Sequence, residues 1–468
     1  MAPHIRLTAG WVAAAMGGTI VTAGERHEFS GVSIDTRTLK NGQLYFGIHG
    51  SRFDGAEFSA TAIEAGAAGV VVPRGRGAAL AGGGAAVIEV DDTTRGLQAL
   101  AHATRMDSGA KVVAITGSAG KTTTKEVTAE FLGTAYRVIR NRGNLNNHIG
   151  LPLSLMELTS RPDIAVMELG MNHAGEISTL VRVAEPEVRV WTNVGEAHLG
   201  FFASLDAIAD AKAEILEQAT ASSLLVANAD DERVVSRARR FAGAVTTFGF
   251  DRSADVHAAD VVDRGIGGTS ARVTTPKGSV QVSTPLVGRG NLANILAATA
   301  VAIHFDVPLA AMAERAASLT PAQHRGDVVR LARGVVVVDD SYNANPTATR
   351  RAMEVLKNTQ TSGRRVAVIG EMLELGDSAV SLHEQVGRAA VAAGLDELVT
   401  VGGEPAKAMA DAAVAAGMNR THVRYFATSD QAADAFDGYI RDEDLVLVKG
   451  SRGIRTDVVL DRLKAEFA

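Results

Sequence analysis

The chain has 468 residues, of which 46% are hydrophobic and 4% aromatic, with a formal net charge of −6 at pH 7. It contains no cysteine, so disulfides and thiolate metal sites are excluded, and any metal must use oxygen or imidazole ligands. The acidic balance and scarce aromatic rings argue against a nucleic-acid partner, and the lack of a signal-like start or a long apolar run predicts a cytoplasmic protein without membrane insertion.

The pattern of apolar runs predicts an N-terminal module followed by a parallel sheet. Residues 1–107 contain short predicted strands at 43–48 and 68–72 and end in a predicted helix from Thr94 to Arg105. From Lys111 onward, apolar strands alternate with helical patterns, which is typical of a parallel sheet covered by helices on both faces. The predicted strands are 111–116, 164–167, 188–192 and 224–227.

The second half of the chain predicts a further α/β domain. Residues 251–287 are rich in Val, Thr and Gly, as expected of an antiparallel excursion, and a helix is predicted from Asn291 to His304. A new set of apolar strands then begins near Gly334, which predicts a separate doubly wound domain. At about 150 residues per domain, the length also fits three domains.

The residues after the strand at 111–116 have the composition of a phosphate-binding loop. Glycines allow backbone N–H groups to point at an anion, Lys121 can reach the outer phosphates, and Thr122 offers a hydroxyl to Mg²⁺. Only two residues separate the glycines, where the usual pattern has four, so a glycine-rich turn with an incidental lysine is the alternative. We interpret the segment as an ATP site formed by Gly117, Ser118, Ala119, Gly120, Lys121, Thr122 and Thr123.

Polar residues just after other strands are candidates for the same site, because ligands collect beyond the carboxyl ends of parallel strands. Glu168 closes one apolar run, and His198 follows the next strand along the chain. A carboxylate and an imidazole near triphosphate oxygens can hold Mg²⁺, although imidazole is less usual for this ion. A capping or surface acid remains the alternative for Glu168, and a hydrogen-bonded loop histidine is the alternative for His198.

Three further positions are ambiguous from the residues alone. Lys212 lies in a predicted helix with Ser204 as its N-cap, and its spacing is that of a solvated helix lysine. Arg325 and Asp340 lie in polar segments that can reach a nucleotide, but Asp, Asn and Pro are also common turn residues. The residues therefore predict a protein that uses ATP and Mg²⁺, and they leave its substrate open.

Several segments of the chain form an ordered set: they begin at Ile115, Asn144, Met167, Thr192, Asn291, Asp339 and Val448, and they include the N-terminal segments Ser33–Arg37 and Gly50–Phe58. Together, these segments resemble the Mur ligases of bacterial cell-wall synthesis, most closely the MurF type, which joins D-alanyl-D-alanine to UDP-N-acetylmuramoyl-tripeptide. Ile369-Gly-Glu-Met-Leu-Glu-Leu-Gly-Asp with His383 is similar to the MurF type rather than its siblings, although Glu371 stands where Asp is common.

The resemblance implies a fold and a reaction. The expected fold is α/β with an N-terminal UDP-MurNAc-binding module (1–107), a central P-loop-like parallel-sheet ATPase domain (108–325) and a C-terminal Rossmann-like domain (326–468). ATP would phosphorylate the tripeptide carboxylate, and the amine of D-alanyl-D-alanine would attack the acyl phosphate to give the pentapeptide precursor of peptidoglycan, with consequences for cell shape, cell division and the cell cycle. We expect a monomer that closes around its substrates.

The resemblance also implies residue roles. Lys121, Lys212 and His198 would be catalytic, with Thr122 and Glu168 serving one Mg²⁺, His198 a second, and Lys212 acting as a carbamylated ligand. Asn294 would lie near the adenine, while Arg325 and Asp340 would reach the nucleotide. Expected substrate-binding residues are Ser33, Asp35, Thr36, Arg37, Asn146, Asn172, Asn343, Asn345, Lys449, Ser451 and Arg452.

The sequence allows other interpretations of the function. A MurE-type ligase that adds one amino acid, or a folylpolyglutamate synthetase, would use the same chemistry on another substrate. The Asp-Asn-Pro-Arg signature of many diaminopimelate-adding ligases is absent, which disfavours the first, and the UDP-sugar-like N-terminal module disfavours the second. A nucleotide-dependent switch or transport ATPase would carry a guanine-reading or ABC-type signature, and neither is present.

Overall fold

The structure is a computed structural model that describes residues 4–22, 27–50 and 52–468. Ser51, which belongs to one of the N-terminal segments named above, lies outside the described residues. The chain folds into two units, each built from several segments. One comprises Met1–Ile115, Ala135–Arg189 and Glu214–Ser223, and the other comprises Thr116–Thr134, Val190–Ala213 and Leu224–Ala468. These units are not the predicted domains, whose boundaries stay a prediction.

The N-terminal segment is a small α/β module. Its elements are β1 (Leu7–Thr8), α1 (Ala9–Met16), β2 (Thr19–Thr22), β3 (Glu28–Phe29), β4 (Val32–Ser33), β5 (Leu44–Phe46), α2 (Ser59–Glu64), β6 (Gly69–Pro73), β7 (Ala86–Val90) and α3 (Thr93–Ser108). The strands follow the order β2-β7-β6-β5-β4, with β2 antiparallel and the others parallel. The predicted strands and closing helix are confirmed. Asp92 caps α3 by accepting the N–H groups of Thr94 and Arg95.

The central segment contains the predicted alternation of strands and helices. Its elements are β8 (Lys111–Thr116), α4 (Lys121–Leu132), β9 (Val138–Arg140), α5 (Gly150–Leu155), β10 (Ile164–Glu168), α6 (Glu176–Ala184), β11 (Val188–Trp191), α7 (Leu205–Ala213), β12 (Leu224–Asn228), α8 (Glu232–Ala238), β13 (Ala244–Gly249), β14 (Val256–Asp263), β15 (Thr269–Thr275), β16 (Gly278–Thr284), α9 (Gly288–His304) and α10 (Leu309–Ala316). In the first unit β10 pairs in parallel with β8 and β9. In the second, β14, β15 and β16 are antiparallel, which confirms the predicted excursion.

The C-terminal segment is doubly wound, as predicted. Its elements are β17 (Asp327–Arg330), β18 (Val336–Asp340), α11 (Pro346–Asn358), β19 (Arg365–Gly370), α12 (Ala379–Ala392), β20 (Glu397–Val401), α13 (Glu404–Ala415), β21 (Val423–Phe426), α14 (Ser429–Asp434), β22 (Leu445–Lys449) and α15 (Asp457–Glu466). The strand order is β17-β18-β22-β19-β20-β21, and β17 is antiparallel to its neighbour. Consecutive residues of a strand, such as Val368 and Ile369, point to opposite faces of the sheet and enter separate apolar cores, so both faces are covered.

Candidate active site

Positive φ values and hydrogen bonds hold the loop between β8 and α4 in a curved conformation. Gly117 and Gly120 have φ values of 151° and 82°, which only glycine adopts readily. A Cβ at Gly117 would overlap the Thr192 hydroxyl, so Gly117 packs directly against Thr192. The Asn193 side chain accepts the N–H of Ala119 at 2.9 Å, and the Ser118 hydroxyl donates to the carbonyl of Gly195 at 3.1 Å. The loop is thereby anchored to the segment after β11.

Lys121 is the first residue of α4, and its ammonium group folds back onto the loop. Its Nζ donates to the carbonyl oxygen of Gly117 at 2.8 Å. Thr122 and Thr123 follow in the first turn of the same helix, where backbone N–H groups favour an anion. This conformation is consistent with a phosphate-binding loop, and the ATP-binding roles of these residues stay a prediction.

Asn294 lies against this loop from α9. Its side chain is 7% exposed, and its Oδ1 accepts a hydrogen bond from the Thr124 hydroxyl at 3.2 Å. Its Nδ2 donates to Asn291 at 3.2 Å. The structure brings Asn294 to the phosphate loop, while its predicted contact with adenine stays a prediction.

Lys212 is buried, so the interpretation of it as a solvated helix lysine is wrong. It lies near the end of α7, which begins after Ser204 as predicted, since the Ser204 hydroxyl accepts the N–H of Ala207 at 3.1 Å. The Lys212 side chain is only 1% exposed. Burial, with repulsion from Lys121, lowers its pKa well below the ordinary value of 10.5. A lowered pKa favours the neutral amine, which is the form that can react with carbon dioxide.

His198 pairs with a residue that sequence reasoning did not assign. Its Nδ1 lies 2.6 Å from the Oε2 of Glu374, which follows β19 in the C-terminal sheet. The hydrogen bond from His198 holds the pKa of Glu374 below its usual range. The interpretation of His198 as a hydrogen-bonded loop histidine is thus correct for its Nδ1, and its binding of a metal stays a prediction.

Glu168 and its neighbours belong to the other unit. Glu168 is the last residue of β10 and is 4% exposed, so it is not a surface acid. Its Oε1 accepts a hydrogen bond from Asn146 at 2.8 Å, and its backbone N–H donates to Asn141 at 2.9 Å. The exposed Asn172 donates its backbone N–H to Glu176 at 2.7 Å. Asn146 was predicted from the sequence, whereas Asn141, which holds the backbone of Glu168, was not.

Several predicted ligand-binding residues at the C-terminal sheet contact one another. Lys449 is 2% exposed and donates to Asp340 at 2.5 Å and to the carbonyl of Asn343 at 2.8 Å. The guanidinium carbon of Arg325 lies 4.2 Å from the ring centre of Tyr342, and that of Arg452 lies 5.7 Å from it. These residues form one charged cluster at the carboxyl ends of β18 and β22.

Asn345 and Ser451 have structural contacts that the sequence analysis did not foresee. Asn345 caps α11 by accepting the N–H of Ala348 at 2.8 Å. The Ser451 hydroxyl accepts the N–H of Leu373 at 2.9 Å and so holds the loop after β19. Their predicted substrate contacts stay predictions.

The predicted UDP-sugar residues form a small hydrogen-bonded turn after β4. The Ser33 hydroxyl bonds the backbone of Asp35, and the half-buried Thr36 lies between Asp35 and Arg37. Arg37 donates to both carboxylate oxygens of Asp35, at 2.9 and 2.6 Å. This pairing lowers the pKa of Asp35 to about 2. The turn therefore presents a fixed pair of opposite charges.

Comparison with known proteins places this geometry in a family. Three family models match the chain: the Mur ligase family catalytic domain at 28–105, the Mur ligase middle domain at 115–302, and the Mur ligase glutamate ligase domain at 324–452. The UDP-N-acetylmuramoyl-tripeptide–D-alanyl-D-alanine ligase of Escherichia coli is 35% identical, with 92% of this chain and 93% of that protein aligned. The chain belongs to the Mur ligase family.

Solved structures agree with this Mur ligase assignment and with its three-domain α/β fold. A MurF crystal structure from Acinetobacter baumannii matches with a TM-score of 0.89 and 30% identity, covering 99% of this chain and all of that one. MurF from Thermotoga maritima, solved in complex with ADP, matches with a TM-score of 0.80 and 27% identity over 93% of this chain and 97% of that one. Within the described part of this Mur ligase, no helix has the length and hydropathy needed to cross a bilayer.

Proposed function

We propose that this Mur ligase joins D-alanyl-D-alanine to UDP-N-acetylmuramoyl-tripeptide with conversion of ATP to ADP and phosphate, supplying the pentapeptide precursor of peptidoglycan. The chemistry rests on one observation, which is that the amine of Lys212 is buried. Burial, with repulsion from Lys121, lowers its pKa. The substrates rest on relatives of that name that align along more than nine-tenths of both chains. We also propose that the protein is a cytoplasmic monomer.

The reaction needs a carboxylate to become a better electrophile. The terminal carboxylate oxygen of the tripeptide attacks the γ-phosphorus of ATP, ADP leaves, and an acyl phosphate forms. The amine of D-alanyl-D-alanine then adds to the acyl carbon, loses a proton, and expels inorganic phosphate as the amide forms. Lys121 would leave the Gly117 carbonyl to neutralise charge on the transferring phosphoryl group, where positioned cations contribute most.

The side chains that we predict as ligands, with a carbamate on Lys212, offer the oxygen atoms that Mg²⁺ prefers. Among residues 4–22, 27–50 and 52–468, no three His, Asp or Glu side chains cluster as a metal site. The oxygen donors would be the Thr122 hydroxyl, the Glu168 carboxylate and a carbamate on Lys212, with His198 serving a second ion. Bound Mg²⁺ would screen the phosphate charges, and carbamylation would replace a buried cation with an anionic ligand.

The first experiment measures phosphate release from ATP with UDP-N-acetylmuramoyl-tripeptide, offering D-alanyl-D-alanine or single amino acids, with mass spectrometry of the product. Turnover that requires the dipeptide and yields the pentapeptide supports the proposal. Turnover only with a single amino acid, or only with a folate acceptor, would show that the proposed substrates are wrong and that the proposed type of reaction is right. Phosphate release without any amine dependence would favour a switch or transport ATPase.

A second experiment tests the carbamate directly. In ¹³C-bicarbonate, NMR should show a carbamate carbon signal that disappears in Lys212→Met. Lys125→Met is the matched control, because Lys125 is equally buried but lies 3.0 Å from the carboxylate of Glu126. A signal that survives in Lys212→Met would remove the carbamate from the proposal.

A further inference from the structure

Glu374 connects the C-terminal sheet to a predicted metal ligand. The Nδ1 of His198 and the Oε2 of Glu374 lie 2.6 Å apart, although 176 residues separate them in sequence. The His198 and Glu374 side chains are 20% and 43% exposed, so the pair is open to solvent on one side. Both residues lie in the same unit of the fold. The contact is therefore a specific link between the loop after β11 and the loop after β19.

The loop that carries Glu374 is held in place by its backbone. The N–H of Met372 donates to Nε2 of the buried His383 at 2.9 Å, and that of Leu373 donates to Ser451 at 2.9 Å. The carbonyl of Glu374 itself accepts the N–H of Gly200 at 2.7 Å. Glu374 thus reaches His198 from a fixed position, which is what a preorganised ligand environment requires.

The two facing loops adopt conformations that need external support. His198 and Glu374 have φ values of 64° and 66°, in the left-handed region that residues with a Cβ seldom occupy. A Cβ at Gly376 would lie 2.9 Å from the α-carbon of Gly200, so the backbones touch directly. Strained residues held by close packing are characteristic of functional sites. Here the strain lies on both members of one hydrogen-bonded pair.

This geometry determines which ring nitrogen of His198 can bind a metal. A carboxylate that accepts the Nδ1 proton leaves the lone pair on Nε2, the arrangement found around most metal-binding histidines. We propose that Glu374 is a positioning residue that holds His198 in the tautomer whose Nε2 binds a divalent cation. The inference rests on the proposed role of His198, and it makes the metal affinity of the central segment depend on contact with the C-terminal sheet.

The test follows Mn²⁺ binding to the full chain by electron paramagnetic resonance, with a non-hydrolysable ATP analogue present. Glu374→Ala should weaken the His198-dependent site by about 10- to 100-fold, the usual effect of losing such a partner. Glu374→Gln keeps an oxygen that accepts the Nδ1 proton, so its affinity should stay near that of the unaltered chain. The matched control is Glu371→Gln in the same loop, whose carboxylate contacts the N–H of Gly403 instead.

A second readout separates tautomer control from simple support of the loop. In ¹⁵N NMR of the metal-free chain, His198 should carry its proton on Nδ1, and Glu374→Ala should give a mixture of tautomers. The His198→Asn spectrum identifies the signals. An unchanged tautomer in Glu374→Ala, whether or not the Mn²⁺ affinity falls, would overturn the inference alone, provided that His198→Asn loses the site. Unaltered Mn²⁺ binding in His198→Asn would overturn the proposed metal role and this inference together.

Discussion

The side-chain amide of Asn294 lies directly over the α-carbon of Gly120, so any Cβ at position 120 would overlap its oxygen. Gly120 also precedes the first residue of α4 with φ of 82° and ψ of −5°. Two separate constraints, backbone conformation and a close neighbour, therefore act on one residue of the phosphate loop. They can be tested separately, because another glycine of the chain, Gly175, has the positive φ without a close neighbour.

Gly120→Ala should weaken ATP binding by about 5- to 150-fold, since overpacking of about 1–3 kcal/mol must displace Asn294 or the loop. Gly175→Ala is the control, because Gly175 precedes α6 with φ of 85° and ψ of −13° but has open space where a Cβ would lie. Calorimetric titration with an ATP analogue measures both. Equal losses in the two variants would show that backbone strain alone decides the effect.

The strands were predictable because their signal is local. The run Val366–Ile369 lies in β19, since consecutive apolar residues suit a strand that is covered on both faces. The glycines of the phosphate loop were equally readable, because a positive φ selects glycine whatever surrounds it.

The environment of the site residues was not predictable from local patterns. Lys212 has the spacing of a surface lysine, and its burial comes from elements packed around α7 rather than from α7 itself. Glu374 lies within the segment at 369–377 that resembles the MurF type, but nothing local indicates a contact with His198 across 176 residues. Resemblance to a family identified Lys212 by position, and only the tertiary structure supplies the physical reason.

Lys212→Met should abolish ligase activity without lowering stability. Methionine fills similar space and avoids burying an amine whose charged form burial disfavours. In buffer free of carbon dioxide, we expect the melting temperature to stay equal or rise. Lys125→Met should lower the melting temperature, because it removes an ion pair with Glu126. A marked loss of stability in Lys212→Met would mean that its ammonium group has a strong partner in the folded chain.

Arg37→Met should raise the pKa of Asp35 from about 2 toward its ordinary value of 3.8, because the guanidinium group stabilises the carboxylate. A pKa lowered in the folded chain stabilises the fold above pH 3.8, and this contribution is lost as pH falls toward 2. Titration of the Asp35 side-chain carbon by ¹³C NMR measures the shift. Lys40→Met removes a charge three residues further along and should leave the pKa of Asp35 near 2. A similar shift in both variants would point to general surface charge instead.

Tyr342→Ala should raise the KM for ATP, because the Tyr342 ring supports the guanidinium group of Arg325 at 4.2 Å. Cation–π contacts of this kind are worth about 0.5–2 kcal/mol, which corresponds to an increase of about 2- to 30-fold. Tyr342→Phe keeps the ring and should behave like the unaltered chain in steady-state kinetics. Arg452, an expected substrate-binding residue, lies farther from the ring, at 5.7 Å, and Lys449 pairs with Asp340 rather than with the ring, so the KM for D-alanyl-D-alanine should change less than the KM for ATP. An equal rise for both substrates would indicate that Tyr342 supports the whole charged cluster rather than Arg325.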